Sequence, residues 1–291
     1  MDVQTLFGDV SVAKFIEEHL HRLPFALAGS VRPVCEFANW DAIGAMLACA
    51  GDDAHAARGG EFYRGEMPRE TAAARALTDE GYTLFIRHAE RHQAGLAELA
   101  KAFEATFRGS VNIHVFATPA GSPGFSWHYD AEDVFIFQTA GAKEYSLRKN
   151  TVNPWPLEET LPADMRYERE IMPLMRVLLR AGDMLYIPCG YWHKADALAT
   201  GEAAISIALG VMSRSAMDVY DFLRQRLAQS LVWRQRLPLP GCEAIPRDQL
   251  VEVYQHLFRQ LSDDLSRTLT DREVVRDFLR TFGEETGENL Q

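Results

Sequence analysis

Phe125-Ser126-Trp127-His128-Tyr129-Asp130 follows a Gly- and Pro-rich segment, Thr118 to Gly124, and opens a stretch of closely spaced strand-like runs. These are Val134 to Thr139, Lys143 to Arg148, Arg176 to Leu179, Met184 to Ile187 and Ala203 to Val211, separated by Ala140-Gly141-Ala142, Asn150 to Pro156 and Ala181-Gly182-Asp183. Short apolar, β-prone runs punctuated at this density predict a sandwich or barrel. Just upstream, Val111, Ile113 and Val115 alternate with Asn112, His114 and Phe116, which predicts a strand with one apolar and one mixed face.

Further out the period becomes helical. Ser11 to His21 places Val12, Phe15, Ile16 and Leu20 on one face, and Leu23 to Gly29 then runs extended. Asp41 to Ala50 and His92 to Phe107 have helical spacing and Gly81 to Arg87 is β-prone, whereas Gly51 to Arg69 has no sustained period and reads as a loop. Beyond Ser213, Val219, Phe222, Leu223, Leu227 and Leu231 mark one helix face, broken at Pro238 to Gly241. A second helix fits Asp248 to Leu261, and a third starts at Thr270-Asp271-Arg272-Glu273, which has capping-box spacing, and ends near Gly283. The predicted fold class is mainly β with α: a sandwich or barrel, flanking helices and a C-terminal helical subdomain that is a candidate for homodimerisation or for a lid.

The 291 residues suffice for one large domain or a domain with an appendage. A formal charge of -11 argues against a nucleic-acid surface spread over the whole protein, and no direct nucleic-acid binding is expected. Cys35, Cys49, Cys189 and Cys242 form no CxxC pair, so reduced thiols are expected rather than a disulfide framework. With no basic leader and no apolar run of membrane-spanning length, the expected location is cytoplasmic.

His128 and Asp130 are two residues apart, and on extended backbone such side chains point the same way. The spacing alone says little. Nine histidines in a chain with 41 acidic residues supply about one His-x-acid pair by chance, and His88-Ala89-Glu90 is a second. What adds weight is Gly182-Asp183-Met184-Leu185-Tyr186-Ile187-Pro188-Cys189-Gly190-Tyr191-Trp192-His193: a turn, a short strand and a rigid bend that present another histidine. Two imidazoles and one carboxylate on one face leave three of six octahedral positions open, as in non-haem Fe(II) sites; zinc uses the same donors but keeps one position open for water. Lys143 shares a strand face with Tyr145 and Leu147, and a lysine pointing inward there needs an anionic partner.

Asn112 to Leu147, with Thr-Pro-Ala-Gly-Ser-Pro-Gly, His-Tyr-Asp, Asp-Val-Phe-Ile-Phe-Gln and Gly-Ala-Lys, taken with Gly182 to His193, resembles the Jumonji-C 2-oxoglutarate dioxygenases. The likeness spans roughly residues 11 to 211 and is closest to the ribosomal-oxygenase and asparaginyl-hydroxylase branch. It implies a double-stranded β-helix (cupin, jelly roll) over 1–211 and a helical subdomain over 212–291. It also implies Fe(II) held by His128, Asp130 and His193, and Lys143 on the distal carboxylate of 2-oxoglutarate. Dioxygen would be the second co-substrate, with succinate and CO2 as co-products. The branch implies a protein or peptide substrate.

Two strands depart from the branch pattern: His114-Val115-Phe116 stands where close relatives show Asn-Val-Tyr, and Ala208, after Ser206, fills a polar position. His114 and Ser206 are thus candidate co-substrate-pocket residues, with His114 equally readable as an inward core group. Trp127, Tyr129 and Cys189 read as packing. The alternatives are hydroxylation of a small molecule or biosynthetic peptide, demethylation of a methylated lysine, and a non-catalytic metal-binding cupin.

Overall fold

In the computed structural model, which describes residues 1–163, 165, 167, 172–199, 201–238 and 249–281, the strands form two antiparallel sheets. They are β1 (Phe25–Leu27), β2 (Ala54–Arg58), β3 (Glu61–Phe62), β4 (Thr83–Ile86), β5 (Ser110–Thr118), β6 (Asp133–Ala140), β7 (Ala142–Arg148), β8 (Met175–Arg180), β9 (Met184–Ile187), β10 (Trp192–Ala197) and β11 (Ala204–Met212). One sheet has the order β1-β9-β6-β11-β5-β4-β2-β3 and the other β10-β7-β8. Backbone contacts divide the chain into two units, Met1–Ser213 and Arg214–Gln291. The first also holds α1 (Val12–Glu18), α2 (Trp40–Leu47), α3 (Thr71–Asp79) and α4 (Ala94–Phe107); the second holds α5 (Ala216–Leu227), α6 (Leu231–Arg234), α7 (Leu250–Thr270) and α8 (Arg272–Thr281).

Val134-Phe135-Ile136-Phe137 is apolar at every position because β6 is buried on both faces. Phe135 and Phe137 join the helix-side core with Phe15, Leu96, Phe103 and Phe107, while Val134 and Ile136 join a second cluster with Tyr145, Leu147 and Leu179 of the smaller sheet. Each fully buried large side chain contributes roughly 1.5–3 kcal/mol. On β11, Ile205, Ile207, Leu209 and Val211 face the helix-side core, and β5 does the same with Ile113, Val115 and Ala117. The alternate residues of β5 and β11 are thereby turned toward the smaller sheet. Two antiparallel sheets with helices on one side make the double-stranded β-helix with flanking helices.

Several expectations need correction. Gly51 to Arg69 is no simple loop: it carries β2, small and polar, and the two-residue β3, too short to show an apolar alternation. The α1 helix stops at Glu18, so Phe15 is fully buried but Ile16 is 40% exposed. The apolar face expected from Val219 to Leu231 is split, since α5 ends at Leu227 and Leu231 opens the separate helix α6. The α8 N-terminus is capped by Asp271, whose Oδ1 accepts from Glu273 N–H at 2.9 Å, while Thr270 ends α7 and donates its hydroxyl to the Ser266 carbonyl. The break at residues 239–241, the helix start at Asp248, the helix end near Gly283 and Cys242 lie outside the described residues.

Asp133, which opens the Asp-Val-Phe-Ile-Phe-Gln motif, is a fully buried polar node. It accepts hydrogen bonds from Tyr186 Oη, from Ser213 Oγ at 3.0 Å and from Cys189 N–H at 3.3 Å, and its Oδ2 lies 2.8 Å from His21 Nδ1. This contact raises the His21 pKa above its ordinary 6.5, against the opposing effect of burial. A raised folded-state pKa stabilises the fold below 6.5, and that contribution fades as pH climbs through the folded value. Thermal melts from pH 6 upward should show a decline in stability that His21→Gln flattens.

Candidate functional site

His128 and His193 are brought together by a backbone bridge. His128 N–H donates to the His193 carbonyl at 3.0 Å and His193 N–H to the His128 carbonyl at 2.8 Å, so the two residues sit directly opposite each other. Residues so paired send their side chains to the same face, and the ring centroids are 4.2 Å apart. Asp130, two positions on, points the same way and is held by Gly190 N–H on its carbonyl at 2.9 Å. The sequence reading missed β10, which begins at Trp192 and supplies this pairing, because Trp192-His193-Lys194-Ala195-Asp196-Ala197 has no apolar alternation.

Each imidazole is oriented by a carbonyl two residues upstream: His128 Nδ1 lies 2.7 Å from Ser126 O and His193 Nδ1 lies 3.0 Å from Tyr191 O. With Nδ1–H donated there, each Nε2 carries its lone pair into the site. His193 Nε2 is 3.4 Å from Asp130 Oδ2, and one ligand atom from each of the three residues lies within 4.8 Å of the others. Among the described residues this is the only such set of three His, Cys, Asp or Glu side chains. Burial and the neighbouring His128 lower the pKa of His193, which keeps its imidazole neutral and available as a donor. The second His-x-acid pair is structural: Glu90 accepts from Ile113 N–H at 2.9 Å, with His88 3.6 Å away.

The three residues open into a cavity of about 540 Å³ between the sheets. Lys143, 5% exposed, projects into it; its Nζ donates to Ser206 Oγ at 3.0 Å and lies 5.8 Å from the centre of the Phe116 ring. Among the described residues no carboxylate lies within salt-bridge distance of Lys143, and burial pushes its pKa down to about 7. A buried amine without a counter-charge is costly on its own and suits an anionic ligand.

The opposite wall is built from three cross-strand pairs of β5 and β11: Phe116 with Ser206, His114 with Ala208 and Asn112 with Gly210. Each pairs a large residue with a small one. Two of the departures in sequence, His114 and Ala208, are therefore direct neighbours, and the small alanine leaves room for the imidazole. His114 faces the cavity, where burial, then His88 and Arg87, lower its pKa to about 4.

Glu132 was not singled out from sequence. Its carboxyl group accepts from Asn112 Nδ2 at 3.0 Å and lies so close to Gly210 that a Cβ there would come within 1.4 Å of Oε2. Burial, and next the charge of Asp130, push its pKa up to about 7, and Asn112 Oδ1 is buried with no hydrogen-bond partner among the described residues. Only the spatial meeting of three separate segments reveals this group. Cys189, by contrast, does not line the cavity; burial pushes its thiol up to about 12. Trp127 stacks on Tyr167 at 4.5 Å, and Tyr129 meets Trp192 edge-on at 4.7 Å.

Residues 87–219, the stretch from β5 through β11 with its flanks, match the family model for the JmjC domain. This chain carries a JmjC domain. Curated relatives of the domain include chicken (Gallus gallus) Ribosomal oxygenase 1, 30% identical over 54% of this chain and 29% of the relative. A second is the Bifunctional lysine-specific demethylase and histidyl-hydroxylase NO66 of Dictyostelium discoideum, 34% identical over 66% of this chain and 37% of the relative. The chain thus spans well under half the length of these curated relatives. In fold, the JmjC chain is similar to the ribosomal oxygenase YcfD from Escherichia coli in complex with cobalt and 2-oxoglutarate, with a TM-score of 0.58 at 16% identity over 97% of this chain and 73% of that one.

Proposed function

We propose that this protein is an Fe(II)- and 2-oxoglutarate-dependent oxygenase that hydroxylates a side chain of a protein or peptide. The observation that carries the reading is one cavity holding two oriented Nε2 donors, a carboxylate and a buried amine that, among the described residues, has no counter-charge. The donor set fits Fe(II), and the amine fits the distal carboxylate of a dicarboxylate chelated at the metal. When bound, iron, 2-oxoglutarate and dioxygen supply the oxidising chemistry, with one oxygen atom leaving in succinate as CO2 is released and the other entering a substrate C–H bond.

In this reading His128, Asp130 and His193 hold the metal, while Lys143 and Ser206 hold the co-substrate. His114, Asn112 and Glu132 offer hydrogen-bonding groups on the side of the cavity where a substrate group enters. Phe116 and Tyr145 wall the co-substrate from water. Support for a polypeptide substrate comes from the relatives, whose names describe ribosomal oxygenases and a histidyl-hydroxylase. The test is mass spectrometry of proteins, peptides and metabolites after turnover. A gain of one oxygen on a polypeptide, matched by one succinate, is expected; oxidation confined to small molecules would refute the substrate class.

The proposed compartment is a reducing cytoplasm, in keeping with Cys35, Cys49 and Cys189 as free thiols and with the absence, among the described residues, of any helix long and apolar enough to cross a membrane. Homodimerisation through the C-terminal helices is also proposed, since Val251 and Phe258, two turns apart on α7, are 63% and 61% exposed. Sedimentation should give twice the chain mass, and Phe258→Glu should return it to one; a wild-type monomer at micromolar concentration would refute the pairing.

A further inference from the structure

One rung of the larger sheet runs out of the cavity toward solvent. Ser206, Phe116, Phe85 and His55 are successive cross-strand partners on β11, β5, β4 and β2, so their side chains share a face. Ser206 and Phe116 line the cavity, and Phe85 and His55 carry the same face beyond it. The rings touch in sequence: Phe116 to Phe85 at 5.8 Å, Phe85 to Phe62 at 6.2 Å, and Phe85 to His55 at 5.2 Å. From the metal side, Phe125 lies 6.2 Å from His128, 5.8 Å from Phe116 and 5.9 Å from Phe85.

This ladder ends in water. Phe62, on the two-residue edge strand β3, is 63% exposed, and Phe125, at the cavity mouth, is 46% exposed. A single exposed aromatic would need no explanation, but a row joined ring to ring and continuous with a cavity is how binding surfaces are built. The surface begins at residues that line the cavity.

We infer that the exposed rings of Phe125 and Phe62, both packed on the buried Phe85 between them, are the docking surface for the polypeptide whose side chain enters the cavity, and that an apolar or aromatic residue of that polypeptide rests on Phe62. The inference rests on the oxygenase reading, because the occupant is the substrate of that site. β3 is three strand spacings from β5, roughly 14 Å, and extended chain at about 3.3 Å per residue covers this in about four residues. The anchoring residue therefore lies about four positions from the one in the cavity.

The probe is a random dodecamer peptide library, panned on full-length protein loaded with Co(II) and 2-oxoglutarate. Retained peptides should carry a large apolar residue about four positions from a second shared residue. Phe62→Ser should lower their retention about tenfold, Phe62→Leu should restore most of it, and Val152→Ser, which removes another exposed apolar side chain, should match wild type. A loss under about threefold in Phe62→Ser, or no peptide retained above the Phe62→Ser background, overturns the inference. Succinate formation by the wild-type protein with Fe(II) is measured in parallel. Succinate without Phe62-dependent retention removes the docking surface and leaves the oxygenase; Phe62-dependent retention without succinate removes the oxygenase and leaves a peptide-binding face.

Discussion

Asp130→Ala is expected to lose iron and to lower succinate formation by at least about 1000-fold while leaving the protein folded. Asp130 supplies the only carboxylate in the candidate metal set, and two neutral imidazoles alone hold a divalent ion far more weakly. Its structural contribution is made by the backbone, through Gly190 N–H on its carbonyl, and its side chain is 37% exposed, so removing the carboxylate leaves the backbone pairing of the site in place. Metal analysis after gel filtration, together with a succinate assay and a melting curve, separates loss of iron from loss of fold. Succinate at more than a tenth of the wild-type rate would show that Asp130 is not a ligand.

Lys143→Ala should act on a different quantity. The KM for 2-oxoglutarate should rise at least about 100-fold while iron content stays within twofold of wild type, because Lys143 meets Ser206 and the Phe116 ring rather than the metal set. A buried ammonium without a counter-anion does not stabilise the empty fold, so Lys143→Met, which keeps the apolar volume, should melt no lower than wild type without co-substrate. Added 2-oxoglutarate should then raise the melting temperature of wild type only. Equal losses of iron and of 2-oxoglutarate in Lys143→Ala would remove its assigned role.

The strands that carry the site were legible where physics leaves a local trace. β6 is apolar at every position because both of its faces are covered, and β5 alternates because one face meets the helix-side core and the other a cavity. His193 stood out through the turn, strand and bend before it, although its own strand, β10, did not. Strands β2 and β3 were invisible because β2 is small and polar and β3 is only two residues long, too short to show an apolar period. The cavity wall was illegible for a different reason. Asn112, Glu132 and Gly210 acquire meaning only through the register of β5 and β11 and the segment before β6, and that register is also what makes His114 and Ala208, departures on two strands, direct neighbours. Short-range pattern finds strands, whereas pairing at long sequence separation builds the pocket.

The central claim is that His128, Asp130, His193 and Lys143 together make one centre for a metal and a 2-oxo dicarboxylate. It is tested most directly by titrating Fe(II) and then 2-oxoglutarate into the protein under argon, recording the visible spectrum, and assaying succinate after air is admitted. The account predicts a weak charge-transfer absorption that appears only with both present, is absent in Asp130→Ala, and is followed by succinate. Iron bound at the site with neither the absorption nor succinate would contradict it.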